Sequence, residues 1–146
     1  MTATLTTVPT TRQAEQATKF QPVWKQGLVA GLAASVATTA VVVVARAVDV
    51  PVDAAGESIP ILGFAQMTLL CTAIGILLAR VIGRRAARPR ALFTKVTVAL
   101  TALSFVPDIT LDAGTATKVT LILTHLVAAA IVIPALAGRL PERRAS

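Results

Sequence analysis

The stretch Gly27-Leu-Val-Ala-Gly-Leu-Ala-Ala-Ser-Val-Ala-Thr-Thr-Ala-Val-Val-Val-Val-Ala45 decides the fold class of this 146-residue chain. It contains no charge and no proline. At 1.5 Å per residue it is close to the ~20 residues that cross a ~30 Å hydrocarbon layer. Hydrocarbon offers no water to peptide groups, so such a segment must be a helix that bonds its own backbone. The same argument predicts four helices, at about 24–48, 60–83, 91–106 and 116–138. The third is the shortest and carries Lys95, which lies near enough to one end to extend its ammonium to the headgroups. The expected fold is all-α: a transmembrane four-helix bundle, up-down-up-down, over residues 23–139.

Composition supports this assignment. Residues of hydrophobic type make up 55% of the chain, more than the surface of a soluble domain of this size tolerates. The single cysteine, Cys71, excludes an internal disulfide, a CxxC redox pair and a multi-cysteine zinc site. A single histidine leaves one chain short of ligands for most transition metals. No metal and no cofactor are therefore expected. The net charge of +7 does not point to nucleic acid, because only 3% of residues are aromatic and the charge is confined to short membrane-flanking segments. Its natural partners are the bilayer and anionic lipid headgroups. Residues 1–22 are polar and threonine-rich and are expected to form a disordered arm, not a signal peptide. Residues 140–146 form a basic tail.

The connections carry the turn chemistry. Asp49–Ile59 contains Pro51, Gly56 and acids and is expected to be a loop. Pro60 and Pro89 suit helix starts, Pro107 a helix end, and Asp112 or Thr115 a cap for the last helix. Of the 14 basic residues, all but Arg46 and Lys118 fall in the N-terminal arm, the middle turn or the C-terminal end, counting helix-end residues with their nearer connection. Asp49, Asp53, Glu57, Asp108 and Asp112 lie on the opposite side. The positive-inside rule then places both termini and the turn bearing Arg84, Arg85, Arg88 and Arg90 in the cytoplasm. Those arginines serve as topology determinants and lipid-headgroup contacts. Phe20, Trp24 and Phe93 are expected as aromatic anchors at the same interface.

Small residues mark the packing. Gly27, Gly31, Ser35 and Thr39 recur every four residues in the first helix, and Gly63, Cys71, Gly75, Ala79 and Gly83 form a similar line in the second, with Cys71 a buried filler. Both lines are expected at close helix contacts, within the bundle or across a dimer. Hydroxyl stripes, Thr97, Thr101 and Ser104 on the third helix, with Asp108 along the same side, and Thr117-Thr120-Thr124 on the fourth, would join these helices or line a polar cavity. Pro134 is expected to kink the fourth helix. His125 is placed near mid-membrane, where an ionisable side chain is a functional expectation by default, as proton relay or ligand contact. The bland alternative is a histidine bonded to a serine or threonine of a neighbouring helix. Arg46, with Asp108 or Asp49, is expected to form an ion pair at the opposite face. Asp108 is expected at the rim, out of reach of His125.

The strings Arg84-Arg85-Ala86-Ala87-Arg88-Pro89, Val106-Pro107-Asp108 and Thr124-His125-Leu126-Val127 resemble those of small four-helix membrane proteins, found mainly in actinobacteria and grouped as a domain of unknown function. The resemblance spans about Trp24 to Gly138. It implies the architecture and no activity. No catalytic constellation is recognisable, so the leading expectation is a non-enzymatic structural or interaction bundle in the bacterial plasma membrane, alone, as a homo-oligomer or with another membrane protein. The alternatives are an oligomeric small transporter or proton-linked channel built on His125, and a lipid- or quinone-directed membrane enzyme.

Overall fold

A computed structural model describes residues 23–54 and 56–142. The expected polar arm and the last four residues lie outside them. Four helices account for nearly all of it: α1 (Val23–Ala47), α2 (Ile61–Arg85), α3 (Pro89–Thr110) and α4 (Thr115–Ala137). All four are long and apolar enough to cross a membrane. Between α1 and α2 the chain forms a short hairpin, β1 (Asp53–Ala54) against β2 (Glu57–Ser58), paired antiparallel with Asp53 opposite Ser58. Gly56 turns it with φ +83°.

The ends follow local chemistry. The amide of Asp49 donates to the Arg46 carbonyl at 3.1 Å and that of Val50 to the Ala45 carbonyl at 3.0 Å. This is the paired bonding of a Schellman cap, which places residue 49 in the left-handed region at φ 60°. Pro89 opens α3, as expected. Pro107 does not end it. The helix runs on to Thr110, because a proline lacks only its own amide donor; its carbonyl still accepts from Leu111 at 2.9 Å. The N-cap of α4 is Gly114, with no side-chain cap, in place of the expected Asp112 or Thr115. α4 continues through Pro134.

Packing is uneven. α1 lies most extensively against α2 and α4, whereas α3 rests mainly on α4. The reason is visible at Gly27 and Gly31. A Cβ at Gly27 would stand 2.4 Å from Cγ1 of Ile76, and one at Gly31 would stand 2.8 Å from Cγ2 of Thr72. The two helices run antiparallel here, and Thr38 and Thr68 bring their hydroxyls to 3.1 Å farther along. The buried stripe on α1 continues through Ser35 to Thr38, not to Thr39. A strict spacing of four overshoots the 3.6-residue period and drifts off the contact.

The α2 side of this contact is Thr68, Thr72 and Ile76, not the small-residue line. Gly75 meets only Leu136, at an ordinary 3.5 Å, and Cys71 is exposed. Farther along the line, Ala79 is buried in the core and a Cβ at Gly83 would stand 3.1 Å from Leu140, so there the small residues admit the chain that follows α4 and not α1. The main buried cluster (Ala79, Ile82, Phe93, Leu136, Ala137 and Leu140) gathers where α2 ends, α3 begins and α4 ends. Phe93 is fully buried there and does not anchor an interface. Trp24 is exposed, with the Lys25 ammonium 5.6 Å from its ring centroid.

Two stability tests follow. Gly31→Ala should lower the unfolding midpoint in detergent by the equivalent of about 1–3 kcal/mol through overpacking against Thr72, while Gly75→Ala should be neutral or stabilising. Asp49→Gly should raise stability by up to about 1 kcal/mol by removing a side chain from a left-handed position. Equal midpoints for Gly31→Ala and Gly75→Ala would contradict the close approach of α1 and α2.

Candidate functional site

α3 buries only three residues: Pro89, Phe93 and Asp108. That one of them is a carboxylate is the feature around which the site is built. Asp108 is 8% exposed. Its Oδ2 lies 3.0 Å from Nδ1 of His125, which in turn lies 3.0 Å from the Leu121 carbonyl one turn earlier on α4. The ring N–H is aimed at that carbonyl, so the carboxylate oxygen sits close to Nδ1 but off the N–H direction. It has no hydrogen-bond partner among the described residues. Phe105 packs edge-on against the imidazole, with ring centroids 6.3 Å apart.

This contact corrects the expectation that Asp108 lies at the rim, beyond the reach of His125. Two local effects close the gap. α3 continues past Pro107, which keeps Asp108 on the helix wall. Side chains also lean toward the N-terminus of their own helix. Joined by a short turn, α3 and α4 run antiparallel, so Asp108 leans into the bundle while His125 leans back toward it.

Beside the pair lies a cleft of about 520 Å³ between α2, α3 and α4. Its walls are largely aliphatic. Polar side chains enter from Thr68 and Thr72 on α2, Thr97, Thr101 and Ser104 on α3, and Thr124 and His125 on α4. The α3 stripe therefore lines a cavity, of the α4 stripe only Thr124 does, and neither zips α3 to α4. Thr97, Thr101, Ser104 and Thr124 each donate to a carbonyl of their own helix, at 2.6–2.9 Å for the shortest bond of each. That is how a hydroxyl is satisfied where water is scarce. Thr117 instead donates to the Pro51 carbonyl and holds the first loop over the start of α4.

Other expected partnerships rearrange. Arg46 donates to the Ile59 carbonyl and pairs with neither Asp108 nor Asp49 among the described residues. A backbone acceptor beside the start of α2 lies nearer than either acid. At the opposite end, Arg84 and Arg85 occupy the last turn of α2, Arg88 precedes α3, and Arg90 forms an exposed 3.0 Å ion pair with Glu142. Arg139 donates to Oε1 of Gln26 at 3.0 Å, tying the end of α4 to the start of α1.

Chemically, Asp108 and His125 set a buried carboxylate oxygen against an imidazole nitrogen with no hydrogen bond between them. Nε2 of His125 makes no hydrogen bond among the described residues, so no hydroxyl or thiol is aligned as a nucleophile. No three metal-ligating side chains stand together among the described residues. Sequence reasoning named both residues but not the pair.

His125→Phe, which strands a buried carboxylate, should cost about 3 kcal/mol of stability. The double variant Asp108→Leu/His125→Phe should recover most of it. Unfolding by denaturing detergent, followed by circular dichroism, measures both. A double variant no more stable than the single would show that the contact carries no coupling.

No curated protein and no solved structure matches the chain. A protein family, described as "Family of unknown function (DUF6069)", matches residues 18–142. That span covers the four helices, the connections between them and both members of the His125–Asp108 pair, and the chain therefore belongs to this family of unknown function.

Proposed function

We propose that this chain is a non-enzymatic multi-pass bundle of the bacterial plasma membrane, with both termini and the basic turn cytoplasmic, and that it works by engaging lipid or another membrane protein along an open flank. The observation that carries this proposal is the uncovered surface of α2 and α3. Leu62, Met67, Leu70, Ile74 and Leu77 on α2, with Leu100 and Leu103 on α3, are at least half exposed, as are Val29, Leu32 and Val36 on the outer side of α1, and the α2–α3 flank is the one that also carries the cleft. An aqueous protein seldom leaves so continuous an apolar surface unoccupied, whereas acyl chains or a partner helix cover it at no cost in hydration. The orientation rests on the charge asymmetry between the two ends.

A second proposal, an oligomeric proton-linked route, is favoured by one observation: a carboxylate and an imidazole held 3.0 Å apart within membrane-spanning helices. Intramembrane ionisable pairs mark such routes. The cleft is lined by α2, α3 and α4 and is not enclosed, so a second copy would have to close it.

A reporter fused after Ser146 should be active only as a cytoplasmic fusion. Replacing Arg84, Arg85 and Arg88 with glutamate should move a measurable share of molecules to the inverted orientation. An outside reporter in the native chain would reverse the proposed sidedness. Recovery of the same lipid or membrane protein with the chain in repeated gentle-detergent purifications supports the flank. A chain that emerges bare and monomeric counts against it, and proton flux in liposomes that is unchanged by His125→Ala counts against the second proposal.

A further inference from the structure

We propose that the cleft between α2, α3 and α4 binds a single-tailed amphiphile through an uncharged hydroxyl head, with Nε2 of His125 as the acceptor. The inference rests on the lipid-engaging flank proposed above and names what enters it.

Three observations select this chemistry. The first is the donor–acceptor balance of the wall. Both neighbours of His125 Nδ1, the Leu121 carbonyl and the Asp108 carboxylate, are acceptors. In the neutral form of the ring the proton therefore sits on Nδ1, and Nε2 presents a lone pair. The nearby hydroxyls of Thr101, Ser104 and Thr124 have already given their protons to carbonyls of their own helices. Among the described residues the polar part of the cleft thus offers lone pairs and no free donor stronger than the Cys71 thiol. A carbonyl or ether would find nothing to bond, whereas an O–H would find an acceptor.

The second observation is charge and depth. No lysine or arginine lines the cleft, so a phosphate or carboxylate head has no counter-ion there. His125 lies ten residues into α4, ~15 Å along its axis, far from the headgroup level. The third is shape. A volume of about 520 Å³ falls in the range of ligand pockets. The cleft lining is small at Ala128, Ala129 and Gly75 and apolar at Phe93 and Leu136, which suits an acyl or prenyl tail. Asp108 lies behind the imidazole, outside the lining, with Oδ2 3.0 Å from Nδ1.

Neutral hydroxyl heads occur on polyprenols, on acylglycerols and on quinols. The test uses the full chain in phosphatidylcholine nanodiscs with geranylgeraniol, 1-monooleoylglycerol or menaquinol-4 under reducing conditions, each against its fully O-methylated ether. Binding is read by native mass spectrometry. Occupancy of the cleft is read by the alkylation rate of Cys71, which lines it and is the sole thiol. At least one alcohol should bind roughly five- to tenfold more tightly than its ether and should slow Cys71 alkylation more than the ether does. The tightest of the three identifies the source. His125→Phe should abolish the preference while leaving tail binding. Equal binding of alcohol and ether in all three pairs, or a preference that survives His125→Phe, overturns the proposal. Should that variant fail to fold, the native chain decides: alkylation of Cys71 that no alcohol slows more than its ether overturns it equally. The reporter and co-purification results stand whichever way this falls.

Discussion

The absence of side chains at Gly27 and Gly31 governs much of the architecture. It lets α1 settle against Ile76 and Thr72 so closely that no Cβ would fit without displacement. With α1 committed to α2 and α4, α3 is held from one side, chiefly by α4. It is fastened at two places. Near its start, the fully buried Phe93 joins the cluster that includes Leu136. Near its end, Asp108 meets His125. Between these attachments α3 stands off from α2, and the space left is the cleft.

The hydroxyl residues show how hydrocarbon shapes side-chain behaviour. In water, a threonine on a helix surface finds solvent. Here, Thr68, Thr72, Thr97, Thr101, Thr120 and Thr124 each donate to their own helix. This satisfies the proton without linking helices, apart from the Thr38–Thr68 contact. It also leaves a wall whose polarity is one-sided, rich in lone pairs and poor in donors, and that asymmetry gives an otherwise aliphatic cleft a chemical preference.

The two ends of the bundle differ in kind. The end bearing the basic turn is knit by aliphatic burial and by Arg139 reaching Gln26. The other is knit by backbone acceptors: Arg46 on the Ile59 carbonyl, Thr117 on the Pro51 carbonyl and Lys118 on the Ile109 carbonyl at 2.8 Å. Side chains that cap carbonyls hold irregular loops in place without requiring a second charge, which explains why Arg46 ignores the nearby acids.

Much of this was legible in the residues alone. Uncharged runs such as Gly27–Ala45 admit no structure but a helix once water is absent, because each peptide group must find its partner within the segment. The number of helices, the small-residue face of α1 and the membrane-spanning character all follow from that. What sequence could not supply was anything set by how one helix leans on another. Pro107 is expected to end α3, yet its carbonyl still accepts from Leu111 and the helix runs to Thr110, which keeps Asp108 on the helix wall beside α4. The small-residue line through Cys71 and Gly75 resembled a contact face, but which face of α2 meets α1 depends on where Gly27 and Gly31 find space. The meeting of Asp108 and His125, 17 positions apart and on different helices, depends on the lean of two antiparallel side chains. Periodicity along one helix carries no information about that offset; only the three-dimensional approach of α3 to α4 decides it.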